Sequence, residues 1–110
     1  MGREAVVEFH ESDSADGSSV LSVTGEFDLA VVDEFLEHAM ACLDRAQGID
    51  VDLGGVSFID SSGLGALVRV RKEAAVRGKP LTLVDVSPAT TRLLEITGLQ
   101  QSFEIRPTQE

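Results

Sequence analysis

The apolar positions of this chain change period several times, and each change marks an element. Val6, Val7 and Phe9 form a short run rich in β-branched and aromatic residues, which predicts a first strand. The polar, small-residue segment of residues 11–19, from Glu11 to Ser19, predicts a flexible hairpin loop. Val20-Leu21-Ser22-Val23-Thr24-Gly25 predicts a second strand, antiparallel to the first because so short a connection cannot make a parallel crossover. Gly25-Glu26-Phe27-Asp28 then breaks the extended run. Asp28 is placed to cap a helix whose apolar positions Val32, Phe35, Leu36, Ala39, Met40 and Leu43 recur at helical spacing. Ile49-Asp50-Val51-Asp52-Leu53 returns to alternation, a third strand that reaches Phe58-Ile59 through a bulge or bend at Gly54-Gly55.

A second helix runs from Ser62 to Arg77 and stops at Gly78. Leu64, Leu67, Val68, Ala74, Ala75 and the stem of Arg71 form its expected inner face. Pro80-Leu81-Thr82-Leu83-Val84 predicts the next strand, and Ser87-Pro88 starts a third helix with Leu93, Leu94 and Ile96 facing inward and Gly98 at its end. Phe103-Glu104-Ile105 predicts an edge strand, and residues 106–110 a polar tail. This order predicts an α/β fold: a mixed, mostly parallel sheet of four to five strands, joined by right-handed crossovers, with helices packed against it. Every strand-to-helix junction then lies on one sheet edge, where ligands and partners of open α/β sheets bind. Asp28, Ser62 and Ser87 sit at such junctions, and the topology predicts a cluster of Asp28, Asp60 and Ser62.

A length of 110 residues and 43% hydrophobic content suit one domain over residues 1–110, with a core that needs no metal or disulfide. The lone Cys42 falls in a helical pattern, which predicts a small core or boundary residue in a reducing compartment. No apolar run approaches the ~20 residues that span a bilayer, and the N-terminus lacks the regions of a signal peptide. Met1-Gly2 is not followed by the Ser or Thr that myristoylation wants, since Val6 stands there. A cytoplasmic location is expected. The net charge of −10 disfavours nucleic acid and anionic lipid as direct partners. Acids concentrate before Ser61, and Arg69, Arg71, Lys72, Arg77 and Lys79 follow it as a solvated helix face or a small basic rim on a protein-binding surface.

Candidate chemistry centres on Val56-Ser57-Phe58-Ile59-Asp60-Ser61-Ser62-Gly63-Leu64-Gly65. An apolar strand ends there in an acid and two hydroxyls, and a helix begins at once. Its unpaired N–H groups and macrodipole favour negative charge. Serine hydrolysis does not fit: no G-x-S-x-G surrounds the serines, and neither His10 nor His38 is placed as a base. Gly63-Leu64-Gly65 lacks the spacing of a nucleotide-binding loop. Asp50 and Asp52 share a strand face without a third ligand, which predicts a solvated strand face, and Asp13 and Asp16 lack the rest of a calcium loop. No catalytic residue, metal or cofactor is therefore expected. What remains is a serine that is itself a substrate. A phosphoserine carries about −1.5 to −2 charges. Beside Asp60 and Asp28 it should leave the fold nearly intact and act on a complementary interface.

Asp60-Ser61-Ser62-Gly63-Leu64-Gly65 resembles the switch motif of the STAS domain family, specifically the bacterial anti-sigma factor antagonists. Gly25-Glu26-Phe27-Asp28 is similar to that family's G-E-[LIF]-D turn, and Leu93-Leu94-Glu95-Ile96-Thr97-Gly98-Leu99 with Phe103-Glu104-Ile105 to its C-terminal helix and last strand. The resemblance implies a partner-switching module with no enzymatic activity of its own. The unphosphorylated antagonist binds an anti-sigma factor, an ATP-dependent serine kinase, and so releases a sigma factor. The kinase then phosphorylates the antagonist, and a phosphatase resets it. Carried over, the phosphoacceptor is Ser62, with Ser61 as the alternative, and Asp28, Asp60, Ser61, Gly63 and Leu64 belong to the partner-binding surface. The chain is expected as a monomer or weak dimer. Other STAS modules, such as the small subunit of a lipid-transport ATPase complex, keep a hydroxyl at this turn without phosphorylating it. Gly54 departs from the family pattern, where serine is common, and no N-terminal sensor domain of the fused stress-sensing members is seen.

Overall fold

Period-two alternation puts Leu21 and Val23, Val51 and Leu53, and Leu81 and Leu83 on one face of three neighbouring strands, and those side chains form the centre of the core. The computed structural model describes residues 7–107. In chain order its elements are β1 (Val7–Asp13), β2 (Ser19–Phe27), a 3-10 turn (Leu29–Val31), α1 (Val32–Arg45), β3 (Ile49–Ile59), α2 (Ser61–Val76), β4 (Leu81–Val84), α3 (Pro88–Thr97), a second 3-10 turn (Gln100–Ser102) and β5 (Glu104–Arg106). The sheet order is β1-β2-β3-β4-β5. Only β1 and β2 pair antiparallel; the other pairs are parallel. Each β-α unit thus steps one strand further the same way.

The helix faces are set by apolar spacing. Phe35, Ala39, Cys42 and Leu43 of α1 are buried, and Phe27 and Phe35 pack with ring centroids 4.8 Å apart. Burial pushes the Cys42 thiol above its ordinary pKa, which keeps it an unreactive core residue. On α2, Leu64, Leu67 and Ala74 face inward as expected. Ala66 and Val70 join them, whereas Ala75 faces solvent and Val68 and Arg71 are half-buried. Arg71 lies over the Phe103 ring at 5.6 Å, which explains how a cation is tolerated on that face. On α3, Leu94 is buried but Ile96 is 74% exposed, contrary to the inward position its spacing suggested. The helix is short and rests on the sheet through a narrow stripe, leaving Ile96 off to one side.

Several boundaries shift. The loop expected over residues 11–19 is shorter: Glu11–Asp13 extend β1, Ser19 opens β2, and only the intervening turn is irregular. Its polar residues tolerate a strand because β1 is a sheet edge with one face in water. Gly25 does not end β2, which continues to Phe27; Gly25 takes φ +105 and marks a register shift. Arg106 belongs to β5, not to a tail, and its Nη2 donates to Asp50 Oδ2 at 3.0 Å. Asp50 is consequently buried at 8% exposure, where a solvated strand face was expected. Val6, the N-terminal residues and the tail beyond Pro107 lie outside the described residues. No helix among the described residues is long and apolar enough to cross a membrane.

Candidate functional site

The site is built where β2 and β3 end side by side. Phe27 and Ile59 are register partners, so the next residues, Asp28 and Asp60, leave the sheet as neighbours. Each does the same local job. Asp28 Oδ1 accepts from Ala30 N at 3.1 Å and starts the 3-10 turn that leads into α1. Asp60 Oδ1 accepts from Ser62 N at 2.9 Å and Gly63 N at 3.0 Å, capping α2. Asp60 N in turn donates to Phe27 O at 3.4 Å, tying the two junctions together.

Two expectations need refinement. Asp28 caps the 3-10 turn, and α1 itself begins after Val31 with no side-chain cap. Asp60 caps α2, which begins at Ser61, one residue earlier than the spacing suggested. Ser61 is therefore the first residue of the helix and exposed; Ser62 is the second and half-buried. Two of the N–H groups that could greet an anion are already satisfied by the Asp60 carboxylate.

Gly63 and Leu64 are buried beneath this surface. Leu64, 4% exposed, is part of the core. Gly63 is packed so closely that a Cβ there would lie 2.6 Å from Phe27 O. Ser87, on the next junction, is buried at 4% exposure and caps α3 through Thr90 N. It serves the helix.

Two apolar residues that the sequence did not mark as part of the site are exposed next to these junctions in the chain, one after Asp28 and one before Ile59. Leu29 is 71% and Phe58 49% exposed. Phe58 was expected at the end of the third strand and lies there, but faces solvent. Register shifts in β3 turn it outward: Ser22 pairs Asp52 and Thr24 pairs Gly55, then Gly25 pairs Val56 and Glu26 pairs Phe58. The strand gains an extra residue at each step, so its buried positions after Leu53 are Val56 and Ile59. The two glycines at 54 and 55 were the available signal. Among the described residues, no group of three or more His, Cys, Asp or Glu side chains could hold a metal ion.

A mostly parallel five-stranded sheet, with the Asp28 and Asp60 caps and the exposed Ser61 at one edge, defines a small α/β module. Residues 10–107 match the family model described as "Mlab, STAS domain", and the chain belongs to the STAS domain family. It is 35% identical over 97 residues to the anti-sigma-B factor antagonist of Staphylococcus aureus, covering 86% of this chain and 89% of that one. A STAS-domain containing protein of Pseudomonas aeruginosa is 29% identical over 93 residues, covering 84% of this chain and 92% of that one. An anti-sigma factor antagonist from Mycobacterium paratuberculosis superposes with a TM-score of 0.83 at 30% identity, over 93% of this chain and 86% of that structure.

Proposed function

We propose that this chain is a cytoplasmic anti-sigma factor antagonist that works as a partner switch. In its unphosphorylated form it binds an anti-sigma factor serine kinase and releases a sigma factor. The kinase spends ATP to phosphorylate Ser62, with Ser61 as the alternative acceptor, and a phosphatase restores the binding form. The chain is not itself an enzyme and needs no cofactor.

The observation that carries this reading is the surface at the start of α2. Exposed Ser61 and half-buried Ser62 open α2 directly after the Asp60 cap, at the sheet edge where Asp28 also leaves its strand, and Leu29 and Phe58, next to those two junctions in sequence, are exposed. Asp28, Asp60 and Ser61 present atoms to a partner; Gly63 and Leu64 set the height and angle of the turn from beneath. A phosphate adds about −1.5 to −2 charges. Because Asp60 already satisfies the N–H groups of Ser62 and Gly63, little of the new charge is compensated locally. It meets the partner instead, where burying an unpaired charge costs several kcal/mol.

The test is mass spectrometry of the protein from its own cells, with binding of Ser62→Ala and Ser62→Asp to the kinase. Phosphate on Ser62, retained binding by the alanine variant and weakened binding by the aspartate variant are expected. Wild-type binding by both variants would sink the reading.

A second reading is a STAS subunit of a lipid-transport ATPase complex. It is favoured by the same Asp60 cap, which completes the turn without any phosphate. Co-purification with a transporter ATPase and an unmodified Ser62 under every growth condition would select it.

A further inference from the structure

In a chain with a net charge of −10, most cations of the described residues are engaged. Arg45 pairs with Glu11 and Asp13, Arg77 with Asp44 and Glu73, and Arg106 with Asp50. Arg71 covers Phe103, and Lys79 donates to the Leu43 carbonyl. Arg92 makes no ion pair among the described residues and stands exposed on α3. It is also where two surface hollows meet. One, of about 320 Å³, runs between the end of β3 and the start of α3, lined by Phe58, Ile59, Pro88 and Arg92. The other, of about 560 Å³, continues along α3 past Pro88 and Arg92 to Glu95 and Ile96. The result is a groove with an unpaired guanidinium at its centre and an exposed apolar side chain toward each end, Phe58 and Ile96.

We propose that this groove between β3 and α3 docks an acidic, amphipathic segment of the partner kinase, a carboxylate on Arg92 and apolar side chains on Phe58 and Ile96. The proposal rests on the partner-switch reading and extends its surface. Three observations select this occupant. Arginine and aromatic residues are the side chains that most often anchor interfaces, and a guanidinium can hold a carboxylate through two parallel hydrogen bonds. The groove is continuous with the switch, since Ile59 lines it and Asp60 follows. Glu95 lies at the Ile96 end and repels an anion there, which directs the carboxylate toward Phe58 and so toward Ser61 and Ser62. An acidic segment held on that side is the element a new phosphate would repel within a screening length of about 8–10 Å. That supplies a way for phosphorylation to release the partner while the fold stays unchanged.

The experiment begins with a recombinant anti-sigma factor kinase from the same organism, identified by ATP-dependent phosphate transfer to Ser62 of the wild-type chain. Its affinity is then measured calorimetrically for wild type, Arg92→Glu, Arg92→Ala, Phe58→Ala and the control Lys72→Glu, an exposed cation on α2 outside the groove. Thermal melts verify that each variant folds. Arg92→Glu is expected to weaken binding by about tenfold or more, with a salt dependence shallower than wild type, and Lys72→Glu by less than about twofold. If Arg92→Glu binds like wild type while Ser62 is still phosphorylated, the groove proposal falls and the partner switch stands. If no kinase of the organism transfers phosphate to the chain, both fall. Sedimentation of the isolated chain covers one further outcome. A self-association abolished by Arg92→Glu, with kinase binding untouched, would assign the groove to a second copy and overturn the proposal.

Discussion

A Cβ added to Gly63 would sit 2.6 Å from the carbonyl oxygen of Phe27, closer than any side chain can come to a backbone oxygen. Glycine at this position lets the first turn of α2 lie directly on the end of β2. Ser61, Ser62 and the Asp28 turn thereby share one surface. Gly65, two residues on, would meet nothing within 4 Å. The two glycines should therefore respond oppositely to alanine. Gly63→Ala forces the backbones apart and should cost about 1–3 kcal/mol by overpacking. Gly65→Ala should stabilise the helix by about 0.5–1 kcal/mol. Urea unfolding of both variants checks this, and equal effects would show that the packing at Phe27 is not the constraint.

Asp60 bonds two N–H groups with one oxygen, so its loss should be felt locally before it is felt globally. Asp60→Ala is expected to cost about 0.5–2 kcal/mol, and Asp60→Asn less, because asparagine caps nearly as well. Hydrogen exchange read at the Ser62 and Gly63 amides should quicken in the alanine variant. Unchanged exchange there would mean the cap is not what holds the turn.

The hairpin is clamped to α1 by Glu11, whose Oε2 lies 2.5 Å from His38 Nδ1 and whose Oε1 lies 2.9 Å from Arg45 Nη1. The hydrogen bond from His38, with a smaller contribution from Arg45, outweighs burial and holds the Glu11 carboxyl below its ordinary value of 4.5. A carboxyl depressed in the folded state contributes stability above its unfolded pKa and loses it as pH falls through the folded value. Wild type should thus lose thermal stability below about pH 4.5 more steeply than Glu11→Gln, the two curves converging in stronger acid. Parallel melting curves from pH 7 to pH 2.5 would show that Glu11 does not carry the effect.

Gly54 and Asp85 form a coupled pair. A Cβ on Gly54 would lie 2.5 Å from Asp85 Oδ2 and 3.0 Å from Asp85 O, and Asp85 itself has φ +54. Placing a side chain at residue 54 should therefore destabilise by about 1–3 kcal/mol. The loss should shrink when Asp85→Gly is made as well, since that removes the carboxylate and suits the positive φ. A double-mutant cycle of Gly54→Ser and Asp85→Gly measures this directly, and additivity would refute the coupling.

How far the sequence can be read depends on how local each cause is. Asp28, Ser87, Pro88, Gly78 and Gly98 act within one turn of chain, so caps and stops were legible to within a residue or so. Strand–helix order then brought Asp28, Asp60 and the two serines to one edge, because consecutive β-α units permit little else. Other features depend on what lies across the fold. Glu11–Asp13 are polar enough for a loop, yet they pair with Ser19–Leu21 as an edge strand. Asp50 looked solvated until Arg106 reached it from two strands away. The two register shifts in β3 turned Phe58 outward, and a narrow seat for α3 left Ile96 in water beside the unpaired Arg92. Periodicity within the chain determined which elements form and where their hydroxyls and carboxylates emerge. Only tertiary pairing decided which charges are neutralised and which apolar side chains face a partner, because both depend on neighbours remote in sequence.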